Sequence, residues 1–193
     1  LSVFNAAFNF RQFWDGRAVT LEDQALLPIA TDFEMANTLE AVREFLGGDS
    51  EYTTKFQDVY PDGVTIANMV DALAHYQRST FIRLDTPFQC YLGGEQDALT
   101  EQAQQGLRRF TEVGCSHCHN GINLGGNSYQ KLGALSAYYG VAETADIHDA
   151  GLAARTGRQG DLHVFRVPGL HGVATTPPYL HDGSVTSLED TVK

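Results

Sequence analysis

The run Cys115-Ser116-His117-Cys118-His119 constrains this chain more than any other segment of its sequence. Two thiols three positions apart can form thioether bonds to the two vinyl groups of a haem, and the adjacent imidazole can then bind the iron. A structural zinc site needs about four ligands in recognisable spacing, and the other cysteine of the chain, Cys90, stands alone. The motif therefore predicts one covalently attached haem c, with His119 as an iron ligand.

Composition narrows the class of protein further. The chain has 193 residues, 42% of them hydrophobic, which is enough for one domain or two small ones. Acidic residues outnumber basic ones by 24 to 13, and the net charge of -11 argues against nucleic acid. The charge permits docking to a basic protein partner, although ordinary solubility is the preferred explanation. No apolar stretch reaches the ~18 residues of a membrane span, and no signal peptide is visible. Covalent haem attachment takes place outside the cytoplasm, which predicts a periplasmic location, and a start at Leu1 indicates processing or truncation.

Apolar periodicity and capping residues predict a mostly α protein. A long glycine-rich, irregular stretch follows His119 up to about Pro178, and such a loop is typical of a segment that wraps a ligand. No strand pairs are expected. A domain boundary is expected between Ser79 and Gly94, where turn residues bracket a short segment. Helices are predicted over 21–27, ending near Pro28, and over 38–46, 52–59, 65–78 and 100–110, with a last one starting at Ser187.

Several segments together resemble the bacterial di-haem cytochrome c peroxidase family, which includes the MauG-type enzymes. These segments occur in the order of the family, at close to its spacing, across nearly the whole chain. They are Phe13-Trp14-Asp15-Gly16-Arg17-Ala18, Gln24, Pro28, Glu34-Met35, the haem motif with its flanking Gly114 and Asn120-Gly121, Leu124-Gly125-Gly126, Phe165-Arg166-Val167-Pro168, and Pro178-Tyr179-Leu180-His181-Asp182-Gly183.

The resemblance implies two cytochrome c-like helical domains with long haem-wrapping loops, one haem in each and a calcium ion between them. Residues 1–83 would be the C-terminal portion of the peroxidatic domain, and 84–193 the electron-transfer domain with Cys115, Cys118 and His119. The attachment motif of the first haem would lie upstream of Leu1. The distal ligand of the second haem would fall just past Lys193, as Met in the peroxidases and as Tyr in the MauG type. Met69 is expected in the core instead.

Three residues match catalytic positions of the family. Glu34 would move protons during peroxide cleavage, because a carboxylate above the iron can serve as an acid and a base; composition alone favours a solvated loop acid. Gln24 would hydrogen-bond peroxide or water, although a mid-helix Gln is also an ordinary helix former. Trp14 would lie between the two haems and assist electron transfer, or anchor the core, or both. Arg17 would contact a haem propionate or serve a structural role.

Further positions are compared with the family for metal binding, iron binding or a structural role. Thr176 and Pro178 match backbone carbonyls that bind calcium in the family, since hard cations accept carbonyl oxygens; a bare loop is the alternative. His181 is expected to order its turn. The run Leu170-His171-Gly172 departs from the Leu-Arg-Asn usual in the family, which leaves His171 as an alternative iron ligand and places propionate or loop contacts in question. Cys90 is expected to be a buried, inert thiol.

The leading prediction is a periplasmic peroxidase that reduces hydrogen peroxide to water with electrons from a small cytochrome c or cupredoxin. The full-length protein would hold a second haem besides the haem c on this chain's motif, together with calcium, and a homodimer is a further expectation. The alternative within the same architecture is a MauG-like oxidase acting on a protein substrate. A mono-haem electron carrier is the remaining alternative, and it would apply if the polypeptide were complete at Leu1.

Overall fold

The computed structural model describes residues 2–133 and 149–192. Within these ranges the chain is predominantly helical, which confirms the predicted fold class, and no helix is both long and apolar enough to cross a membrane. The strands are β1 (Tyr129–Lys131) and β2 (Val164–Arg166). The helices are α1 (Leu21–Ala30), α2 (Leu39–Gly48), α3 (Ser50–Val59), α4 (Ile66–Thr80), α5 (Pro87–Leu92), α6 (Glu101–Glu112), α7 (Ala153–Thr156) and α8 (Leu188–Thr191).

Side-chain caps fix the starts of the main helices. Thr20 and Asp23 form a reciprocal capping box at the start of α1, in which each side chain accepts a hydrogen bond from the backbone N–H of the other. Thr38, Thr65 and Thr100 cap α2, α4 and α6 in the same N-cap position. The predicted starts of these helices are confirmed, because an N-cap depends on residues only two or three positions apart.

The predicted end of α1 near Pro28 is wrong, since the helix continues to Ala30. Proline breaks a helix by removing one N–H and crowding the preceding turn. The turn that follows α1 offsets this loss, because it folds back and donates hydrogen bonds to the last carbonyls of the helix. The donors are Thr31 Oγ1 to Leu27 O (2.7 Å), the Met35 N–H to Pro28 O (3.1 Å) and the Asn37 N–H to Ile29 O (3.0 Å).

Two further predictions are wrong. α2 does not end at residue 46 but continues through Gly47 and Gly48, and Asp49 then caps α3 by accepting hydrogen bonds from two backbone N–H groups. A strand pair exists where none was expected: β1 and β2 are antiparallel, with Tyr129 opposite Arg166 and Lys131 opposite Val164. Strands of three residues are too short to show the alternation by which strands are detected in sequence.

Apolar packing lies mainly between α1 and α4. Ile29, Met69 and Val70 are buried there, and α2 and α3 cover the cluster with half-buried side chains. Met69 is 4% exposed, which confirms its expected place in the core. A second, smaller cluster joins Leu21 and Ala74 to the short turn at Ala6–Phe8.

The segment 5–17 connects the first half of the chain to the second. The Asn5 N–H donates to Phe81 O, and the Asn5 side chain donates to Arg83 O and accepts from the Arg83 N–H. The Phe10 N–H donates to Gly126 O at 2.8 Å. The Arg166 N–H donates to Trp14 O at 2.7 Å, which ties the same segment to β2. The division at residue 83 stays a prediction, and these hydrogen bonds run across it.

One ion pair gives the fold a pH-dependent contribution. Arg78 on α4 forms a bidentate ion pair with Glu22 on α1, with Nη1 donating to Oε1 at 2.5 Å and Nη2 donating to Oε2 at 2.9 Å. The hydrogen bonds from Arg78 lower the pKa of Glu22 from 4.5 to about 2. Because the pKa is depressed in the folded state, this stabilisation is present above pH 4.5 and is lost as the pH falls from 4.5 towards 2.

We expect Glu22→Gln to lower the free energy of unfolding at pH 7 by about 1 kcal/mol, since both partners are partly exposed to solvent. The difference between wild type and variant should shrink as the pH approaches 2. Urea unfolding at several pH values measures it. Glu51→Gln is the matched control, because it breaks the exposed pair with Lys55 inside a single helix. A Glu22→Gln difference that does not depend on pH would contradict the assignment.

Candidate haem site and its surroundings

The Cys-x-x-Cys-His motif folds into tight turns directly after α6. Gly114 has a φ of 89°, which reverses the chain at the end of the helix and suits glycine. Cys115–His117 then form a 3₁₀ turn, and the His119 N–H donates to Cys115 O at 2.9 Å. Both thiols are free: Cys115 is exposed and Cys118 is half-buried. The turn therefore presents two unbonded sulfurs and the imidazole of His119 within five residues.

The imidazole of His119 is oriented by a backbone carbonyl. Its Nδ1 lies 3.1 Å from Leu124 O, so Nδ1 carries the proton and donates, and the lone pair is on Nε2. Leu124 O lies in a loop that a backbone hydrogen bond closes, because the Gly125 N–H donates to Asn120 O at 2.8 Å. A carbonyl that fixes the tautomer and the ring orientation is the usual support of a histidine that binds a metal through its other nitrogen.

Apolar side chains flank this histidine. The Phe110 ring of α6 lies 6.4 Å from the His119 ring, and Leu107, one turn earlier, is half-buried on the same face. Val113 and Ile122 are more than half exposed on either side of the motif. A porphyrin needs an apolar surface of this kind beside its iron ligand. The donor set and its surroundings fit a haem c held by Cys115, Cys118 and His119.

Trp14 lies against residues from the far end of the chain. Its ring meets the His181 ring edge-to-face at a centroid distance of 6.3 Å, and His181 stacks on Phe165 at 4.2 Å. The His181 side chain is 7% exposed, and its Nε2 lies 2.7 Å from Asp149 Oδ1. The expectation that His181 orders its turn agrees with this packing. Trp14 is half-buried, as a residue that anchors one segment on another would be.

Gln24 and Glu34 lie on and after α1. Gln24 is a half-buried residue of the helix, whereas Glu34 is exposed in the turn that covers the end of the helix. Phe33 and Met35 on either side of it are 87% and 66% exposed. Within residues 2–133 and 149–192, no hydrogen bond or ion pair involves the carboxylate of Glu34 or joins it to Gln24 or Trp14. The catalytic roles of the three residues stay predictions.

The positions expected to bind calcium lie on the surface. Thr176 and Pro178 are exposed in the loop after the 3₁₀ turn Val173–Thr175. The Thr176 hydroxyl lies 3.4 Å from Gly172 O, inside its own loop. The described part of the chain contains no group of three or more His, Cys, Asp or Glu side chains able to hold a metal ion. A calcium site here would therefore depend on backbone carbonyls, and it stays a prediction.

Three other residues with sequence-based expectations lie in the following surroundings. The His171 Nε2 lies 3.0 Å from Ile122 O and 3.1 Å from the Gln89 Nε2, and its role as an alternative iron ligand stays a prediction. Cys90 on α5 is half-buried rather than fully buried. The Arg17 guanidinium lies 3.6 Å from the centroid of the Phe13 ring and bonds Asp15, which are structural contacts, and its contact with a haem propionate stays a prediction. His148, which the sequence predicts to be an ordinary surface or core histidine, lies outside the described residues.

Sequence reasoning missed the most buried charge in this region. Arg166 is 1% exposed, and burial lowers the pKa of its guanidinium below its ordinary value. Its Nε donates to Phe13 O at 3.1 Å, and its Nη1 donates to Val167 O at 3.3 Å. The sequence offered one signal of this burial, which is that Arg166 stands between the apolar residues Phe165 and Val167. Arginine is rarely fully buried without a specific partner.

Comparison with known proteins identifies the family. Residues 1–97 match the family described as di-haem cytochrome c peroxidase. Over 194 residues the chain is 42% identical to the cytochrome c551 peroxidase of Pseudomonas aeruginosa, covering 99% of this chain and 55% of that relative. It is 41% identical to the cytochrome c peroxidase Ccp of Escherichia coli, covering 100% of this chain and 41% of that relative. It is 30% identical to the methylamine utilization protein MauG of Methylophilus methylotrophus, covering 100% and 56% respectively.

A solved structure supports the same conclusion. The crystal structure of a MauG-like protein associated with microbial copper homeostasis matches with a TM-score of 0.82 at 26% identity, covering 99% of this chain and 60% of that one. The fold and the site define a cytochrome c-like haem protein, and the chain belongs to the di-haem cytochrome c peroxidase family. The predicted resemblance is confirmed. The chain spans about half the length of the curated relatives it matches.

Proposed function

We propose that this chain is the part of a di-haem cytochrome c peroxidase that holds the electron-transfer haem and the proton-handling residues of the peroxidatic site. The reaction consumes one hydrogen peroxide, two electrons and two protons, and it yields two waters. The observation that carries the proposal is the His119 imidazole, whose Nε2 is freed for iron by the Nδ1 hydrogen bond to Leu124 O, next to two free thiols. Relatives about 40% identical over the whole chain are named cytochrome c peroxidases.

Each part of the chain has a distinct task in this proposal. Cys115 and Cys118 tether the haem and His119 binds its iron, and this haem supplies one-electron redox chemistry when it is bound. Trp14 lies where the N-terminal segment meets the second half of the chain, between the regions of the two haems. Glu34 holds and moves protons at the peroxidatic site, Gln24 hydrogen-bonds peroxide or water there, and the other haem belongs to sequence beyond this chain.

The remaining features of the proposal concern the setting of the enzyme. The backbone carbonyls of Thr176 and Pro178 bind calcium, which holds the loop near the boundary of the two halves. The net charge of -11 favours a small basic cytochrome c or a cupredoxin as the electron donor. The protein acts in the periplasm, and a homodimer is the assembly we propose.

The test is a steady-state assay of the full-length protein with hydrogen peroxide and a reduced small cytochrome c. We expect oxidation of two cytochromes for each peroxide consumed, at a rate that falls steeply with added salt, because the encounter is steered by charge. Two haems for each chain are expected in a pyridine haemochrome assay. A single haem with no peroxide turnover would instead support a mono-haem electron carrier.

A MauG-like oxidase is the second candidate, and the match to a solved MauG-like protein at a TM-score of 0.82 favours it. Both candidates use the same arrangement of haems, so the present residues do not separate them. The distal ligand of the second haem, expected just past Lys193, separates the two candidates. A Met there supports a peroxidase, and a Tyr supports MauG chemistry.

A further inference from the structure

The loop that orients the iron ligand is held against the segment that follows β2. We call residues 120–126 the ligand loop. The backbone of residues 167–170 bonds this loop through two N–H···O hydrogen bonds, at 2.8 and 3.2 Å. A third contact comes from a side chain, because the His171 Nε2 lies 3.0 Å from Ile122 O. Leu124, whose carbonyl orients the iron ligand, lies among these contacts.

The ligand loop needs support from outside because its own backbone is strained. Leu124 has a φ of 48°, in the left-handed region that a leucine rarely adopts. A residue keeps such a conformation only where the surrounding contacts fix it. The next residue packs closely on its neighbours, since a Cβ on Gly125 would lie 2.1 Å from Pro168 O. Loss of a contact to the ligand loop is therefore expected to change the direction of the Leu124 carbonyl.

The hydrogen bonding of His171 follows from its two neighbours. Ile122 O can only accept, so the Nε2 of His171 carries the proton and donates to it. The amide of Gln89 on α5 lies 3.1 Å from the same Nε2, and within the described residues its Oε1 is buried without a hydrogen-bond partner. A half-turn of this planar amide exchanges its nitrogen and oxygen, which lets Oε1 accept from the same N–H. His171 thus joins α5 to the ligand loop.

We propose that His171 is a positioning residue for the iron ligand. Its Nε2–H, backed by Gln89, holds the ligand loop in place. The Leu124 carbonyl then stays on the Nδ1–H of His119, and this bond makes the imidazole a stronger electron donor to iron, which favours the ferric state. The inference rests on the proposed haem site and deepens it, because it names side chains outside the motif that set the potential of the haem.

The experiment compares His171→Leu and His171→Gln with wild type in the full-length holoprotein. Leucine fills much of the space of the ring but cannot donate a hydrogen bond, whereas glutamine places an amide N–H near the position of Nε2. We expect His171→Leu to raise the midpoint potential of the His119 haem. The methyl signals of that haem in proton NMR spectra of the ferric protein should also shift, because they depend on the orientation of the axial imidazole. His171→Gln should restore both quantities towards wild type.

The chain offers a matched control in His163→Leu. The His163 Nδ1 also lies 3.0 Å from a backbone carbonyl, Asp149 O, which is outside the ligand loop. The potential and the NMR signals of this variant should match wild type. Gln89→Leu should raise the potential by less than His171→Leu does. Adding Gln89→Leu to His171→Leu should change nothing further, because Gln89 acts through His171.

Several outcomes would overturn the proposal. Wild-type potential and NMR signals in haem-loaded His171→Leu would show that the backbone bonds alone hold the ligand loop. Loss of the low-spin spectrum in both His171 variants, with haem content unchanged, would make His171 an iron ligand instead. A shift that glutamine does not restore, or that His163→Leu reproduces, would reduce His171 to a packing residue.

Two further results keep the test decisive. Should His171→Leu fail to fold, Gln89→Leu decides, and an unchanged potential in that variant would overturn the proposal. Wild type that carries no haem on Cys115 and Cys118 would overturn the proposed function and this inference with it, whereas haem-loaded variants indistinguishable from wild type would overturn this inference alone.

Discussion

Replacing Cys115 and Cys118 together by serine is expected to abolish covalent haem attachment to this part of the chain. Serine keeps the size of the side chain but cannot form the thioether bonds that carry the porphyrin. Intact-mass spectrometry of the full-length protein should show the loss of one haem, and the pyridine haemochrome content should fall from two haems to one. This is the largest effect that we expect from any substitution in the chain.

Cys90→Ser provides the matched control, because Cys90 is also a free thiol and is half-buried on α5 away from the motif. Its haem content should equal that of wild type. The double variant and the control would then differ only in which thiols are lost. An unchanged haem count in the Cys115→Ser/Cys118→Ser protein would remove the basis of the proposed function, whatever its activity.

The parts of the fold that sequence predicted correctly depend on residues close together in the chain. The predicted caps at Thr20 and Thr38 are local hydrogen bonds, and the pattern that placed Met69 in the core repeats within one helix. The haem motif belongs to the same class, because its two thiols and its imidazole lie within five residues. Such features need no knowledge of the rest of the fold.

The parts that sequence missed depend on contacts between segments, some neighbouring and some distant along the chain. α1 passes Pro28 because the turn after it, up to Asn37, returns to the carbonyls of the helix. Arg166 is buried because Phe13 supplies a carbonyl from 153 positions away. The contact between Trp14 and His181 likewise joins the two ends of the chain. No local pattern specifies these pairs, since tertiary packing decides which segments meet.

The exposure of Glu34 also separates what sequence can say from what the structure adds. The resemblance to the family assigns it a catalytic role, whereas the structure shows an exposed carboxylate flanked by two exposed apolar side chains, Phe33 and Met35. Exposed apolar residues are individually common at protein surfaces. Their place beside the one acid proposed to handle protons makes this turn the part of the chain where the function is best tested.

Glu34→Gln in the full-length protein is expected to lower peroxide turnover by roughly 10²–10⁴-fold, the usual contribution of a positioned general acid and base. Glutamine keeps the shape of the side chain and its hydrogen bonding but cannot take up or release a proton at catalytic pH. Because the carboxylate bonds no other part of the described chain, the free energy of unfolding should change by less than about 0.5 kcal/mol. Stopped-flow peroxide kinetics, haem content and urea unfolding measure the three quantities.

Asp32→Asn is the control for this prediction, because Asp32 is another exposed acid in the same turn, two residues away. It removes an equal charge from the same surface, so any effect of local potential on peroxide or on the electron donor should appear in both variants. A loss confined to Glu34→Gln, with haem content and stability unchanged, would be chemical in origin. Near-normal turnover in Glu34→Gln would show that another group transfers the protons, and Gln24 could not replace it, since a neutral amide does not titrate.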